Sequence, residues 1–289
     1  MELSLLGEVL LARSPKAPVL LLVPLQRKAV SRGLLPENML VHLSRNGQAF
    51  CADLTRGIDL SLSLRNGADN PNAFWAPMPS FSPVRAGDFV GSTAEDGPVN
   101  FFNVFFNPHG NGTHTECVGH IARERYVLRE CLREFHCWAK VVSLYPRRLD
   151  DGDRVLMRDQ IEDVLTPGEA DALVLRTLPN DPTKKTRQYS GTNPPYLHAA
   201  AAAFLAECGI RHLLIDLPSV DREEDGGVLA AHKAFWQYPE AVRSNCTITE
   251  LVYVPNEVAD GMYWLNLQTA AFDLDVSPSR PVLFALQAC

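Results

Sequence analysis

The stretch from residue 172 to 217 most constrains the fold, because it alternates a strand, a helix and a second strand. Residues 172–177 form a short apolar run that is typical of a buried strand. The alanine-rich run 198–208 predicts a helix, which Gly209 ends at the position that favours a left-handed residue. Residues 210–217 are again continuously apolar and predict a parallel strand. The alternation therefore predicts an α/β fold with at least one parallel pair.

The composition excludes one broad class of partner. The chain has 289 residues, of which 46% are hydrophobic, enough to bury a substantial core in one large α/β domain or two small ones. Its net charge is −7 and its isoelectric point is about 5.6. The basic cluster of Lys184, Lys185 and Arg187 is too short to neutralise a phosphate backbone. We therefore expect no nucleic-acid partner.

Cysteine usage and hydropathy favour the cytoplasm. The seven cysteines are an odd set without a Cys-x-x-Cys pair, and the first residues lack the positive charge of a secretory signal. The most apolar run, 19–25, contains Pro24 and is far shorter than the roughly 20 residues of a membrane helix. We therefore expect reduced thiols, a cytoplasmic protein and no membrane partner.

Residues 1–55 are predicted to be a β-rich N-terminal extension that packs on a main domain of residues 56–289. Its signals are an apolar strand at 19–23 and the dipeptide Asn46-Gly47, which favours a hairpin turn between two β-prone runs. We expect this extension to serve packing or oligomer contact.

The start of the main domain predicts a strand followed by a loop. Residues 58–64 alternate apolar and polar side chains, as a half-buried strand does, and residues 66–83 are rich in Pro, Asn and Ser. The loop carries three aromatic residues that either bind substrate as the wall of a pocket or cover a core or subunit interface: Phe74, Trp75 and Phe81.

The segment 110–120 carries the candidate chemistry. It follows a predicted strand at 99–106, whose end is a usual place for ligand residues, and another strand is predicted at 141–145. Residues i and i+2 of an extended segment face the same side, so His114 and Glu116 can present a nitrogen and an oxygen to one cation. This pattern is common, so by itself it leaves ordinary surface or core histidines as the alternative.

Two stretches together resemble a known family. The first, 110–120, is Gly-Asn-Gly-Thr-His-Thr-Glu-Cys-Val-Gly-His, and the second, 205–221, is a helix, a glycine, a strand and the turn Asp-Leu-Pro-Ser-Val-Asp. They resemble the HxGTHxDxPxH signature and the DxPSxD turn of the cyclase family, metal-dependent hydrolases that include bacterial kynurenine formamidase and isatin hydrolase. A later histidine and a later glutamate, His232 and Glu250, follow in the same order over about residues 56–289.

The resemblance implies a swivelling β/β/α fold with a mixed sheet and a divalent metal, Zn²⁺ or Mn²⁺. It also implies that His120 is the catalytic histidine that does not bind the metal. An imidazole and carboxylate set can leave a position open for water, whose pKa Zn²⁺ lowers to about 7. The metal ligands implied by the matching positions are His114, Glu116, His232 and Glu250.

Position 110 departs from the signature, because Gly110 stands where the family has its first histidine. His109 is not expected to replace it, since neighbouring side chains of an extended segment point to opposite sides. We therefore expect one metal ion rather than two. Val118 in place of the signature proline and the longer Glu116 in place of aspartate also predict altered geometry.

Other polar residues have ordinary structural interpretations. His198 opens a predicted helix and His212 lies on an apolar strand, so we expect capping or packing rather than metal binding. Asp216, Ser219 and Asp221 follow a strand, where structural and pocket roles are equally expected.

These features predict a hydrolase that cleaves an amide, lactam or ester bond of a small carbonyl compound with metal-activated water, with His120 as acid and base. The alternative is a catalytically lapsed cyclase-like protein that binds a small molecule or acts as a structural subunit, which Gly110 favours. By analogy with the family we expect a small-molecule substrate and a homodimer or homotetramer.

Overall fold

The computed structural model describes residues 38–289, which contain seventeen strands and five α-helices. The helices are α1 (Pro108–Asn111), α2 (Leu128–Cys131), α3 (Arg158–Glu162), α4 (Ala199–Glu207) and α5 (Ala230–Trp236). The strands are β1 (Leu40–Arg45), β2 (Gln48–Asp53), β3 (Ile58–Asp59), β4 (Ser80–Pro83), β5 (Arg85–Ala86), β6 (Phe89–Val90), β7 (Phe102–Phe105), β8 (His114–Cys117), β9 (His136–Leu144), β10 (Arg147–Arg148), β11 (Arg154–Leu156), β12 (Ala172–Thr177), β13 (Tyr196–Leu197), β14 (His212–Ile215), β15 (Thr247–Glu250), β16 (Gly261–Thr269) and β17 (Val276–Ala288).

Seven of these strands close on themselves as a mixed barrel. Their order is β17-β16-β9-β12-β14-β15-β8, and β8 pairs again with β17. The four central strands β9, β12, β14 and β15 run parallel, whereas β8, β16 and β17 pair antiparallel with their neighbours. Closure leaves these strands without a free edge and places β8 between β15 and β17.

The central strands are buried on both faces, which explains their continuous apolar sequence. In β12, Leu173 and Leu175 belong to a core cluster with the apolar residues of α4 and α5. Val174 belongs to a second cluster, shared with Val141, Leu214 and other strand residues around the barrel. Alternate side chains of one strand therefore stabilise two different cores.

The strongest sequence signals are confirmed. The predicted strand 172–177 is β12, and it pairs in parallel with β14, within the predicted strand 210–217. The helix between them is α4; His198 is its N-cap, and Gly209 follows its end with φ +81°. The chain is thus α/β, as predicted.

The hairpin at Asn46-Gly47 is confirmed: β1 and β2 pair around it, and both residues have positive φ. This hairpin continues the sheet, because β2 pairs with the end of β17. The predicted strand at 19–23 lies outside the described residues. The division into an extension of residues 1–55 and a domain of residues 56–289 stays a prediction.

Three element boundaries differ from the prediction. Only β3 of the predicted strand 58–64 is paired, and the strand predicted at 141–145 is the end of the longer β9. The predicted loop 66–83 ends in β4, which pairs with β7 from the predicted strand 99–106. Local alternation indicates a strand but not where its pairing ends, because pairing depends on distant segments.

The expectation of reduced thiols is wrong for two of the seven cysteines. Cys51 on β2 and the C-terminal Cys289 form a disulfide, because the β2–β17 pairing brings their Cα atoms to 5.6 Å. The free cysteines are buried: Cys117, Cys131, Cys137, Cys208 and Cys246. Among residues 38–289, no helix is long and apolar enough to cross a bilayer.

Candidate metal centre

Strand β8 presents two of the predicted ligands on one face. The side chains of His114 and Glu116 are fully buried, two residues apart on the strand. β8 pairs with β15 so that His114 lies opposite Glu250, and His114 Nε2 is 3.4 Å from Glu250 Oε2. His114 Nδ1 is 2.9 Å from the Gly112 carbonyl oxygen. The carbonyl can accept a hydrogen bond from Nδ1–H, which leaves the lone pair of Nε2 facing the site.

Helix α5 contributes the third predicted ligand, His232. Its Nε2 atom lies 3.1 Å from Glu116 Oε1 and 3.9 Å from Glu250 Oε1, and its Nδ1 atom lies 2.6 Å from Asp221 Oδ2. Asp221 also accepts the backbone N–H groups of Ala231 and His232 at the start of the helix. Asp221 therefore both caps α5 and orients the imidazole.

His109 and Asp275 also face the site, although neither was predicted to be a site residue. His109 Nδ1 is 3.2 Å from Glu116 Oε2, and His109 Nε2 is 3.4 Å from Asp275 Oδ2. The expectation that His109 points away was wrong, because residues 108–111 form a helical turn and not an extended segment. Asp275 directly precedes β17, whose pairing with β8 places Val276 opposite Glu116.

His120 lies at the exposed side of the cluster. A 3₁₀ turn over Val118–His120 follows β8 and returns the imidazole towards Glu116. His120 Nδ1 is 3.6 Å from Glu116 Oε2 and 3.7 Å from Asp275 Oδ2, and 31% of the side chain is exposed. This histidine can therefore contact a small molecule that enters from the exposed side.

The arrangement fits a cation beside Glu116. Two groups of donor atoms lie within 4.8 Å of one another there, Glu116 with His109 and His114 and Glu116 with His120 and His232, and Glu250 approaches His114 and His232 only in pairs. Two ligand atoms bound at usual Zn²⁺ distances in a tetrahedral site are about 3.4 Å apart. The nitrogen–oxygen separations among the four predicted ligands are 3.1, 3.4 and 3.9 Å. In addition, the buried atoms Glu116 Oε2 and His114 Nε2 have no hydrogen-bond partner among the described residues, although such burial costs about 1–3 kcal/mol per atom. A divalent cation would satisfy both atoms.

The pKa shifts show a strong negative field in the site. Burial by itself lowers the pKa of His232, but hydrogen bonds with Asp221 and Glu116 raise it to about 10. Burial also lowers the pKa of His109, but Asp275 and Glu116 raise it to about 10. Burial raises the pKa of Glu116, yet the charge and hydrogen bonds of the neighbouring imidazoles bring it well below its ordinary value. Glu116 is therefore ionised at neutral pH and attracts positive charge.

A cavity of about 250 Å³ borders the cluster. Phe74 lines it with φ +56°, a conformation that is uncommon for a residue other than glycine. The other two predicted aromatics do not line it: Trp75 is 78% exposed, and Phe81 lies on β4. The remaining lining residues are His109, His120, Ser219, Asp221, Arg222, Glu223, Asp225, Leu229, His232 and Glu250.

The other polar residues singled out in the sequence either lie away from the cluster or support its side chains. His198 caps α4 by accepting the N–H of Ala200, and His212 is buried with Nδ1 2.9 Å from Thr247 Oγ1. Asp216 is buried in an ion pair with Lys184, at 2.7 Å. The aspartate that ends the DxPSxD turn, Asp221, is thus next to the site, whereas the one that begins it stabilises the fold.

Comparisons with known proteins agree with this architecture. The model of the Cyclase family ("Putative cyclase") matches residues 58–222, which is more than half of the chain. The chain belongs to the cyclase family. A kynurenine formamidase of Bacillus cereus is 30% identical over 229 residues, which cover 78% of this chain and 96% of that relative. Another from the same species is 42% identical over 90 residues, which span 31% of this chain and 39% of that relative.

Two solved structures share the fold. A potential metal-dependent hydrolase with cyclase activity superimposes with a TM-score of 0.58 at 18% identity, covering 79% of this chain and 97% of the other. An isatin hydrolase bound to the product analogue thioisatinate superimposes with a TM-score of 0.57 at 16% identity, covering 80% and 93%. The resemblance of the two sequence stretches to the cyclase family is confirmed.

Proposed function

We propose that this protein is a metal-dependent hydrolase that cleaves a C–N amide or lactam bond, or an ester bond, of a small carbonyl compound. The observation that carries the proposal is the buried set of two imidazoles and two carboxylates beside a small cavity, in which Glu116 Oε2 and His114 Nε2 have no hydrogen-bond partner among the described residues. Membership of the cyclase family and similarity to kynurenine formamidases support the amide class.

The proposed ligands of one Zn²⁺ or Mn²⁺ ion are His114, Glu116, His232 and Glu250. Mixed nitrogen and oxygen donors suit either ion, and all four side chains are buried, with His232 and Glu250 also lining the cavity. When bound, such an ion lowers the pKa of a water molecule and polarises a carbonyl group.

His120 is the proposed acid and base. It lines the cavity and is partly exposed, so it can take a proton from the attacking water. The water oxygen bonds to the carbonyl carbon, the C–N bond breaks, and the proton passes from His120 to the leaving nitrogen. Asp275, 3.7 Å from His120 Nδ1, stabilises the protonated imidazole between these transfers. His120 therefore returns to its initial protonation state at the end of each cycle.

The proposed substrate is small and contains one aromatic or similarly flat ring. A cavity of about 250 Å³ is slightly below the usual range for drug-sized ligands, and Phe74 supplies an apolar wall. Aryl formamides and fused lactams are therefore the first compounds to test. Trp75 and Phe81 remain proposed contacts only for a substrate portion that extends beyond the cavity.

The test combines metal content with hydrolysis of an aryl formamide, a lactam and a simple ester. The wild type should bind Zn²⁺ or Mn²⁺ stoichiometrically and hydrolyse at least one of these compounds. His120→Asn should lower kcat by about 10²–10⁴-fold while keeping the metal. His232→Ala and Glu250→Ala should lower metal occupancy, whereas the control His198→Asn, which keeps a capping side chain on α4, should change neither.

The outcomes separate the candidate functions. If the wild type binds no metal and adding Zn²⁺ or Mn²⁺ neither raises its melting temperature nor produces hydrolysis, the proposal is wrong. Stoichiometric metal without hydrolysis would instead support the lapsed cyclase-like protein, which binds a small molecule or serves as a subunit.

We also propose that the barrel is the swivelling β/β/α fold and that the protein is a homodimer or homotetramer. The oligomer is supported by β7, whose residues are all exposed although Phe102, Val104 and Phe105 are apolar. Exposed apolar strands of this kind usually mark protein contacts. Light scattering during gel filtration should give two or four chains for the wild type and a smaller assembly for Val104→Asp. A monomeric wild type would contradict this proposal.

A further inference from the structure

The glycine at position 110 does not leave a gap in the candidate metal centre. A Cβ atom added to Gly110 would lie 2.3 Å from Ala76 Cβ and 3.0 Å from the carbonyl oxygen of Ala73. The Gly110 carbonyl also accepts the N–H of Ala73 at 2.9 Å. Position 110 therefore faces the neighbouring loop, and a histidine there would collide with that loop instead of reaching Glu116.

The local conformation turns the preceding residue towards the site. Asn107 caps α1 by accepting the N–H of Gly110, and Pro108 occupies the first turn, where proline favours a helix. A helix rotates successive side chains by about 100°, whereas a strand rotates them by about 180°. The imidazole of His109 consequently packs beside the other site histidines, with ring centroids 4.4 Å from His120 and 5.3 Å from His114.

His109 also has the partner that a metal-binding histidine needs. Its Nε2 atom is 3.4 Å from Asp275 Oδ2, while its Nδ1 atom is 3.2 Å from Glu116 Oε2 without the alignment of a hydrogen bond. The same arrangement occurs at His232, where Asp221 takes one nitrogen and the other faces Glu116. A carboxylate behind the imidazole fixes the tautomer so that the opposite nitrogen can bind a cation.

We infer that His109 is a ligand of the metal centre and that Asp275 positions it. The histidine that the family signature has at position 110 is thus supplied by the preceding residue. The inference rests on the proposed function, since it requires that the site binds a metal. It adds one nitrogen donor to a group in which one donor atom each of His109, His114 and Glu116 lie within 4.8 Å of one another.

The test measures Zn²⁺ affinity and the visible spectrum of the Co²⁺-substituted protein for the wild type, His109→Ala and His109→Gln. Loss of a residue that only supports a ligand already lowers metal affinity by about 10–100-fold, so loss of His109 should weaken Zn²⁺ binding at least about tenfold. The Co²⁺ absorption bands should shift in both variants, because one nitrogen donor is lost. Asp275→Asn should weaken binding less and leave the bands closer to those of the wild type.

Gly110→His in the His109→Ala background provides a second test. It should not restore affinity, because the added side chain meets the Ala73–Ala76 loop, and it should lower the melting temperature. His136→Ala is the matched control, since His136 is an exposed histidine on β9 whose Nε2 atom contacts Asn266. Its Zn²⁺ affinity and Co²⁺ spectrum should equal those of the wild type.

The results distinguish two failures. If the wild type binds Zn²⁺, His232→Ala binds it weakly, and both folded His109 variants keep wild-type affinity and Co²⁺ bands, then His109 is not a ligand and this inference is wrong. Restoration of affinity by Gly110→His would refute the argument that position 110 faces the Ala73–Ala76 loop instead of the site. If the wild type itself binds neither Zn²⁺ nor Co²⁺, the proposed function is wrong, whatever the role of His109.

Discussion

Asp221→Asn should weaken metal binding although Asp221 is not among the proposed ligands. One of its oxygens lies 2.6 Å from His232 Nδ1, and the carboxylate also accepts two backbone N–H groups at the start of α5. The asparagine variant keeps the shape but removes the charge. It can also present an NH₂ group to Nδ1, which stabilises the tautomer whose Nε2 atom carries the proton. The nitrogen that faces Glu116 would then donate a proton instead of binding a cation.

The magnitude follows from these contacts. Removing the partner of a ligating histidine lowers metal affinity by about 10–100-fold, which corresponds to about 1.4–2.7 kcal/mol. Weakening the cap of α5 should separately lower the free energy of unfolding of the metal-free protein by about 1 kcal/mol. The first effect is measured by Zn²⁺ competition with a chelating dye, and the second by urea unfolding without metal.

Asp225→Asn is the matched control for Asp221→Asn. Asp225 accepts the N–H of Leu229 at 2.6 Å in the same loop, but its hydrogen bonds go to backbone N–H groups rather than to His232. The control should therefore lower stability by a similar amount and leave Zn²⁺ affinity unchanged. Equal Zn²⁺ affinity of wild type and folded Asp221→Asn, or an equal loss in both variants, would refute the argument that Asp221 acts through the imidazole.

Three further predictions concern the fold. Burial and the charge of Arg211 lower the pKa of His212 to about 4, below the ordinary 6.5. The unfolded chain therefore takes up the proton first, and the contribution of His212 to stability should fall by about 3 kcal/mol between pH 6.5 and 4. Urea unfolding should show a weaker pH dependence for His212→Gln, and an unchanged one would contradict the assignment. Lys184→Met leaves the buried carboxylate of Asp216 unpaired and should cost about 3–5 kcal/mol, part of which Asp216→Asn should recover in the double variant. Protein purified without reductant and then denatured should show five free thiols by alkylation and mass spectrometry; seven would exclude the Cys51–Cys289 disulfide.

The fold could be predicted where local pattern and burial coincide. The strand 172–177, the helix that ends before Gly209 and the parallel strand after it each follow from a continuous apolar run or from capping chemistry. The pairings that close the barrel could not be predicted, because β8 and β17 are separated by more than 150 residues. The disulfide depends on the same kind of contact, since only the β2–β17 pairing brings Cys51 near the end of the chain.

The candidate site could be predicted only as far as a signature extends. His114, Glu116, His232 and Glu250 lie together, although their roles as ligands stay predictions. Asp275 carries no local signal, because an aspartate before a strand is ordinary turn chemistry.

His109, in contrast, had a signal in the sequence. Asn107 followed by Pro108 is a typical helix start, and a helical turn there would have turned His109 towards the site. The sequence prediction missed this signal because it assumed an extended conformation for the whole segment.

The closure of the barrel explains why the site lies on β8. Pairing with β15 places Glu250 beside His114, and pairing with β17 places Asp275 beside Glu116, so one short strand receives a carboxylate from each neighbour. Burying several carboxylates together is unfavourable unless positive charge balances them. In the metal-free protein protons on the imidazoles provide that charge, which is why the pKa values of His109 and His232 rise to about 10. A divalent cation would displace those protons, so its binding should release protons to the solvent.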